Sequence, residues 1–319
     1  MSTIEVRSPG LLTTVQDLGR EGFGPMGVSA SGAADAVALR IGNRLVGNAE
    51  GAAGLEMTLL GGTFTFPEGA VVALTGSDFG AALDDKPVEM WSSVDVRPGQ
   101  TVHVAGTRGG ARCYLCVRGG INVKLFLGSA STHLLSGLGG FEGRALRKGD
   151  ILKIGMASSA FRTFRKKKTL GRALEKISPR KILRVTAGPQ SGWFSDATQA
   201  AFYRSTYCVA EESNRMGLRL EGAVIPAAAC GAGGEMISEG VSLGAVQVTA
   251  SGLPIILFVE QQTTGGYPKI ANVISADFSS LGQLRPRDEI RFERIEMETA
   301  RSLLVEREKM LASKELIAE

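Results

Sequence analysis

Glu260, Gln262, Thr263 and Thr264, followed by Gly265, Gly266, Tyr267 and Pro268, stand together in FVEQQTTGGYPKIANV, directly after the apolar run Pro254–Val259. A carboxylate, an amide and several hydroxyls in so short a span can orient a small polar molecule, and Glu260 can carry a proton for it. The paired glycines can take positive φ, let a ligand approach the main chain and offer their N–H groups to an anion such as a carboxylate or phosphate. The same letters also spell a turn between two strands. The residues alone leave both readings open.

Other segments add candidates. EESNRMGLRLEG places Ser213, Asn214 and Arg215 before a glycine turn, and Arg215 suits bidentate recognition of a carboxylate or phosphate. GEMISEGVSLGAVQV places Ser238 and Glu239 before another turn. Each also reads as a turn with surface charge. In the first half, TTVQDLGREGFGPMGVSASGAAD combines Thr13, Thr14, Gln16, Asp17 and Arg20 with glycines in a long irregular stretch, a length unusual for a loop that binds nothing. ALTGSD repeats the pattern of a strand ending on a polar rim.

Missing motifs narrow the chemistry. There is no G-x-x-x-x-G-K-[ST] and no G-x-G-x-x-G opening a helix, so the usual phosphate cradles are absent. CYLC has redox or zinc spacing but lies in an apolar strand, where Cys113 and Cys116 point to opposite faces. Two packed strand cysteines are the better reading. With His103 and His133 as the only histidines, neither a zinc site nor a histidine-based triad is expected.

The elements that must hold these residues are mainly strands. Short apolar runs at Phe64–Phe66, Val71–Leu74, Val102–Val104, Cys113–Val117, Ile151–Ile154, Ile182–Val185, Val246–Val248, Ile255–Val259 and Ile290–Phe292 are separated by Gly, Pro, Asp or Asn clusters, as in a barrel or sandwich. The 42 glycines and few aromatics agree. Helices are predicted over SGAADAVALRIGNRLVG, with Ser31 as N-cap and Gly47 as stop, over FSDATQAAFYRS with Ser195 or Asp196 capping, and at the C-terminus, with Met297, Leu304 and Leu311 at seven-residue steps. A faint echo between LEMTLLGG and GEMISEG suggests internal duplication as much as chance.

A chain of 319 residues exceeds one ordinary core and suggests two domains. Residues 162–181 carry nine basic residues and one acidic, which reads as a solvated linker between them. The net charge of +4 is too mild to make nucleic acid the main partner. The opening residues lack a secretory pattern and no run is long enough to span a membrane, so a soluble, cytoplasmic protein with reduced thiols is expected.

TTVQDLGREGFGPMGVSASGAAD, GNRLVGN, LEMTLLGG, ALTGSD, YLCVRGGI, NRMGLRLEG and QTTGGYPKIANV together resemble the family that includes the C component of 5-oxoprolinase, the second component of allophanate hydrolase-like proteins, the carboxyltransferase part of urea carboxylase, and KipA. The resemblance spans about residues 4–293. It implies a mainly β fold with some α: tandem cyclophilin-like β-barrels over 1–160 and 182–294, a linker over 161–181 and a C-terminal helix over 295–319. It implies a KipI-like partner, the B component, and in some relatives a LamB/YcsF-like A component.

The activity implied is ATP-dependent opening of 5-oxoproline to glutamate by the assembled components, with ATP binding not assigned to a chain. Glu260, Thr263, Thr264 and Tyr267 would be catalytic. Gln262, Gly265, Gly266, Ser213, Asn214, Arg215, Ser238, Glu239, Gln16 and Asp17 would bind the substrate, and no metal is expected. Two alternatives accompany this: a carboxyltransferase for urea or another amide, and a KipA-like antagonist of a kinase inhibitor that catalyses nothing. The chain departs from the family at Glu260, usually Asp, and at Ala130, usually Arg, and it has no biotin-accepting Met-Lys-Met.

Overall fold

The computed structural model describes residues 2–156, 165–226 and 236–318. Cys230, the first two residues of GEMISEG and the start of the basic run lie outside them. The chain forms two compact units: residues 1–20, 31–178 and 310–319 make the first, and residues 21–30 and 179–309 the second.

In the first unit, period-2 strands assemble two seven-stranded sheets. One sheet runs, in spatial order, through Ile121–Asn122, Ile151–Ile154, Thr3–Ser8, Thr63–Thr65, Thr101–His103, Ala82–Leu83 and Lys86–Pro87. The other runs through Leu12–Gln16, Gly54–Thr58, Arg112–Val117, Ala70–Gly76, Ser92–Val96, Lys168–Thr169 and Ile317–Ala318. Ile4, Val6, Leu55, Phe64, Phe66, Leu74, Val102 and Leu115 share one buried apolar cluster, in which each large side chain contributes on the order of 1.5–3 kcal/mol by leaving water.

Strand Arg112–Val117 is buried along its whole length because both faces are covered. Cys113 joins that cluster, whereas Cys116 joins a second one with helix Ala36–Val46. The two cysteines therefore do point to opposite faces. Both are free thiols, and burial pushes Cys116 up to about 12 and Cys113 higher still, so neither is a nucleophile near neutrality.

The helix begins later than expected. Its N-cap is Asp35, whose carboxylate accepts from the Ala38 N–H at 3.0 Å, and not Ser31. Ser31 has φ 56° and donates its hydroxyl to the Thr132 carbonyl, while the stretch before the helix is tied to the sheet: Tyr114 Oη accepts from the Asp35 N–H and Glu56 accepts from the Ala34 N–H. Gly47 ends the helix at φ 81°, where a side chain would be strained.

The segment expected as a linker carries structure where it is described: strand Lys168–Thr169 and helix Gly171–Ile177. Lys166 and Lys168 both pair with Glu89, which holds this part of the basic run on the first unit. The C-terminal helix spans Met297–Ala312. Met297 is exposed and Leu311 buried, so the seven-residue spacing does not mark one buried face, and the chain continues into strand Ile317–Ala318, which pairs with Lys168–Thr169.

In the second unit seven strands close into a barrel, in the order Ile182–Ala187, Lys269–Val273, Ala245–Val248, Pro254–Leu257, Gly217–Gly222, Tyr207–Val209 and Glu289–Arg294. The closing pair, Ile182–Ala187 with Glu289–Arg294, is parallel, while the other pairs are antiparallel. Closure leaves no free edge on these strands. Helix Asp196–Arg204, capped by Ser195, one of the two candidates, stacks Phe202 on Phe292 with ring centroids 4.7 Å apart. The mainly β fold with a C-terminal helix is thus the observed one. No helix among the described residues is long and apolar enough to cross a membrane.

Candidate functional site

At one end of the barrel, residues 260–268 are not a simple hairpin. Thr264–Gly265 pairs with Glu239–Gly240, a two-residue ladder that joins the two segments singled out in the sequence. Gly265 and Gly266 do not adopt positive φ. The reason for Gly265 is close approach: a Cβ there would lie 2.6 Å from Gln247 Nε2 and 2.8 Å from Gln262 Nε2.

Beside this ladder is a pocket of about 240 Å³. Asn214, Arg219, Gln247, Thr249, Gln262 and Tyr267 supply its polar lining, and Met216, Ile255 and Leu257 its apolar wall. Three amides and two hydroxyls with an aliphatic surface are suited to a small amide, since each amide both donates and accepts, and the Arg219 guanidinium adds a charged donor to the same lining. Asn214 also accepts from the Met216 N–H at 2.8 Å, which fixes its own turn. Gln247 is 2 % exposed, which fixes its amide in place.

Glu260 and Arg215 form a buried pair instead of lining this pocket. Arg215 Nε donates to Glu260 Oε1 at 2.5 Å, with the two side chains 5 % and 3 % exposed, and the Glu260 N–H donates to the Arg215 carbonyl at 2.8 Å. This double link fixes the start of the 260–268 segment to the turn before strand Gly217–Gly222. Thr263 is half-buried and Thr264 exposed, and the Thr263 carbonyl accepts from the Val241 N–H. Ser213 exchanges hydrogen bonds with the main chain of Arg219, a local turn. Ser238 is exposed.

Glu239 has a partner that sequence reasoning missed. Lys269 Nζ lies 2.5 Å from Glu239 Oε1, and Gln190 Nε2 donates to the same oxygen at 2.8 Å. Hydrogen bonds from the lysine first, and from Gln190 second, hold the Glu239 carboxyl below the usual carboxylate range. Gln190 Oε1 in turn accepts from the Lys269 N–H. Lys269 was hidden because a single lysine after Gly-Gly-Tyr-Pro looks like surface charge, yet its strand position makes it 3 % exposed. Gln247 and Gln190 lacked any local signal at all.

In the first unit, Gln16 and Asp17 hold backbone. Asp17 accepts from the Gly19 N–H at 2.8 Å, the Ser129 hydroxyl at 2.7 Å, the Ala130 N–H at 2.6 Å and the Ser131 hydroxyl at 2.5 Å. Gln16 Nε2 donates to Thr14 Oγ1 and to the Thr132 carbonyl. Arg20 donates to the Ser131 and Phe126 carbonyls, with its guanidinium 5.5 Å from the Phe126 ring centre. Ala130 is 4 % exposed within the apolar cluster, and its main chain is used by Asp17. Among the described residues no group of three or more His, Cys, Asp or Glu is placed to hold a metal ion.

Residues 26–294 match the family described as carboxyltransferase domain, subdomain A and B. The chain is 39% identical over 297 residues to the C component of 5-oxoprolinase from Escherichia coli, an alignment covering 93% of each. It is 38% identical over 294 residues to the C component of 5-oxoprolinase from Haemophilus influenzae, covering 91% of this chain and 90% of that one. It superposes on the crystal structure of the K. lactis urea amidolyase with a TM-score of 0.89 at 30% identity, covering 99% of this chain but 21% of that much longer one. These matches span the barrel, its Glu239–Lys269 pair and the glycine-rich segment, and the chain belongs to the carboxyltransferase domain family.

Proposed function

We propose that this chain is the C component of an ATP-dependent 5-oxoprolinase that opens 5-oxoproline to glutamate together with a KipI-like B component and a LamB/YcsF-like A component. The observation that carries the reading is the full-length likeness to two proteins that bear the name of that C component. The pocket supports it: 5-oxoproline is a small planar lactam, and Asn214, Gln247, Gln262 and Tyr267 offer donors to its carbonyl and acceptors to its N–H.

A ring amide is resonance-stabilised, and ATP supplies the activation of its oxygen in the assembled complex. Neither phosphate-cradle sequence is present in this chain, and the binding of ATP is not assigned to one component of the complex. The work of this chain's residues is to bind and orient the lactam where charge develops on its oxygen. Thr263 and Thr264 lie on the same segment as Tyr267, and the buried Arg215–Glu260 pair positions that segment, so Glu260 acts through the segment's geometry.

The test is reconstitution of the complex and measurement of ATP-dependent glutamate formation from 5-oxoproline. Activity that requires this chain, and that Gln247→Ala or Tyr267→Phe reduces, is the expected result. Undiminished turnover in its absence eliminates the proposal. The near-complete superposition on part of a urea amidolyase favours one second reading, carboxyl transfer to urea or a similar amide. That reaction needs a separate biotin carrier, because no Met-Lys-Met stands in this chain. Carboxylation of urea on adding carboxybiotinylated carrier, with no glutamate formed from 5-oxoproline, selects it.

A further inference from the structure

The Glu239–Lys269 pair is asymmetric in a way a structural ion pair need not be. Lys269 belongs to the closed barrel and is 3 % exposed, whereas the side chain of Glu239 is 45 % exposed and comes from a strand of two residues. That short strand pairs with Thr264–Gly265, itself two residues long. A ladder of this length contributes little on its own and opens at low free energy. The barrel side is built and the carboxylate side is loosely tethered.

The barrel side has the form of a carboxylate receptor. Lys269 Nζ and Gln190 Nε2 converge on one oxygen, Glu239 Oε1, at 2.5 and 2.8 Å. Gln190 is 7 % exposed and is oriented by the bond its carbonyl oxygen accepts from the Lys269 N–H. A buried ammonium without a counter-charge is strongly disfavoured, so the site favours an anion at this place. Exchanging one carboxylate for another leaves the charge balance intact. The pocket is adjacent: Gln247, one of its lining residues, is the register partner of Lys269.

We propose that Glu239 is a displaceable internal stand-in for the carboxylate of the substrate, and that Lys269 with Gln190 receives that carboxylate while the neighbouring pocket holds the amide. The ligand class is a small molecule that carries a carboxylate and an amide on one compact frame. This rests on the barrel-end pocket being the substrate site. It adds a selectivity device, because a neutral amide fills the pocket without lifting Glu239 away. Release of Glu239–Gly240 from Thr264–Gly265 also couples occupancy to the glycine-rich segment.

The experiment is calorimetric titration of the full chain with three probes: 5-oxoproline, 2-pyrrolidinone as the same lactam without a carboxylate, and acetate. Glu239→Gln keeps the shape and the Gln190 contact and removes the competing charge. The expected result is about a tenfold gain in affinity for 5-oxoproline and acetate and none for 2-pyrrolidinone, since the receptor is no longer self-occupied. Lys269→Met is expected to erase the preference for 5-oxoproline over 2-pyrrolidinone, and Glu239→Gln decides the question if that variant does not fold. Unchanged or weaker binding of both carboxylates to Glu239→Gln overturns the inference, as does a failure of that variant to bind any probe. If acetate gains but 5-oxoproline does not bind, the exchange stands and the 5-oxoprolinase reading fails. If both lactams bind and neither responds to the substitution, the pocket reading stands and the exchange fails.

Discussion

Asp17 in the first unit and Glu239 in the second are both carboxylates drawn in by several donors, and the donors differ in kind. Asp17 is surrounded by two main-chain N–H groups and two serine hydroxyls, all neutral, and is 9 % exposed. Glu239 meets a buried ammonium and one amide, and nearly half of its side chain is open to solvent. Neutral donors fixed in the main chain make a clamp that serves this loop alone. A cation with an exposed partner makes a place that other anions can take. The sequence presents the two acids alike, and only their partners tell clamp from receptor.

The sharpest way to break the comparison is through the other acid of the second unit. Glu260 is as enclosed as Asp17 but faces a cation, so Glu260→Ala removes a buried counter-charge from Arg215 and is expected to cost about 3–5 kcal/mol in urea unfolding. A loss below about 1 kcal/mol would show that the pair is solvated and that enclosure does not separate it from Glu239. Asp17→Ala leaves four donors unmet and is expected to cost roughly 2–4 kcal/mol by the same measurement, at about 1–3 kcal/mol for each donor that finds no replacement. Glu239→Gln should lower the melting temperature less than either, because its side chain is half in water.

Tyr114→Phe probes a clamp of mixed character. Tyr114 Oη donates to Glu56 at 2.7 Å and accepts from the Asp35 N–H at 2.7 Å, so its loss should cost about 1–3 kcal/mol and expose the helix entrance to faster amide exchange at residues 34–38. Protection unchanged at those amides would mean that Asp35 holds the helix start unaided.

The smallest effect concerns pH. Hydrogen bonds from Arg144 hold the Asp150 carboxyl below its ordinary value. A depressed folded value means the contribution is complete above the unfolded value of about 4 and disappears as pH falls through the folded one. Asp150→Asn should therefore be less stable than the parent by under about 1 kcal/mol above about pH 4, given partial exposure, and the two unfolding curves should converge below it. Parallel curves down to about pH 2 would remove Arg144 as the cause.

Much of the strand content was legible because period-2 apolar runs bounded by turn residues have few other solutions, as at Cys113–Val117 and Ile151–Ile154. The strands that escaped, Leu12–Gln16 and Gly54–Thr58 among them, are rich in Thr, Gln and Glu. Those polar side chains are buried by contacts with distant residues, as Glu56 is by Tyr114, 58 residues away. Ser31 misled as a cap for the same reason: its hydroxyl is taken by Thr132 across 101 residues. At the candidate site, the 262–267 segment was visible as a cluster of chemistry-bearing residues, whereas Gln190, Gln247 and Lys269 were not, since each meets its partners across long stretches of chain.

The sequence by itself determined the strand-rich class, the helix start at Ser195 or Asp196, the stop at Gly47, the opposed faces of Cys113 and Cys116, and the family resemblance. These depend on local periodicity, on φ preferences and on motifs that are contiguous in the chain. Only the tertiary structure decided which acids are clamps, that Arg215 is claimed by Glu260, and that a lysine two positions past Tyr267 is buried against Glu239. Charge pairing and desolvation depend on distance in space, and closing the barrel is what brings residues 190, 239, 247 and 269 within reach of one another.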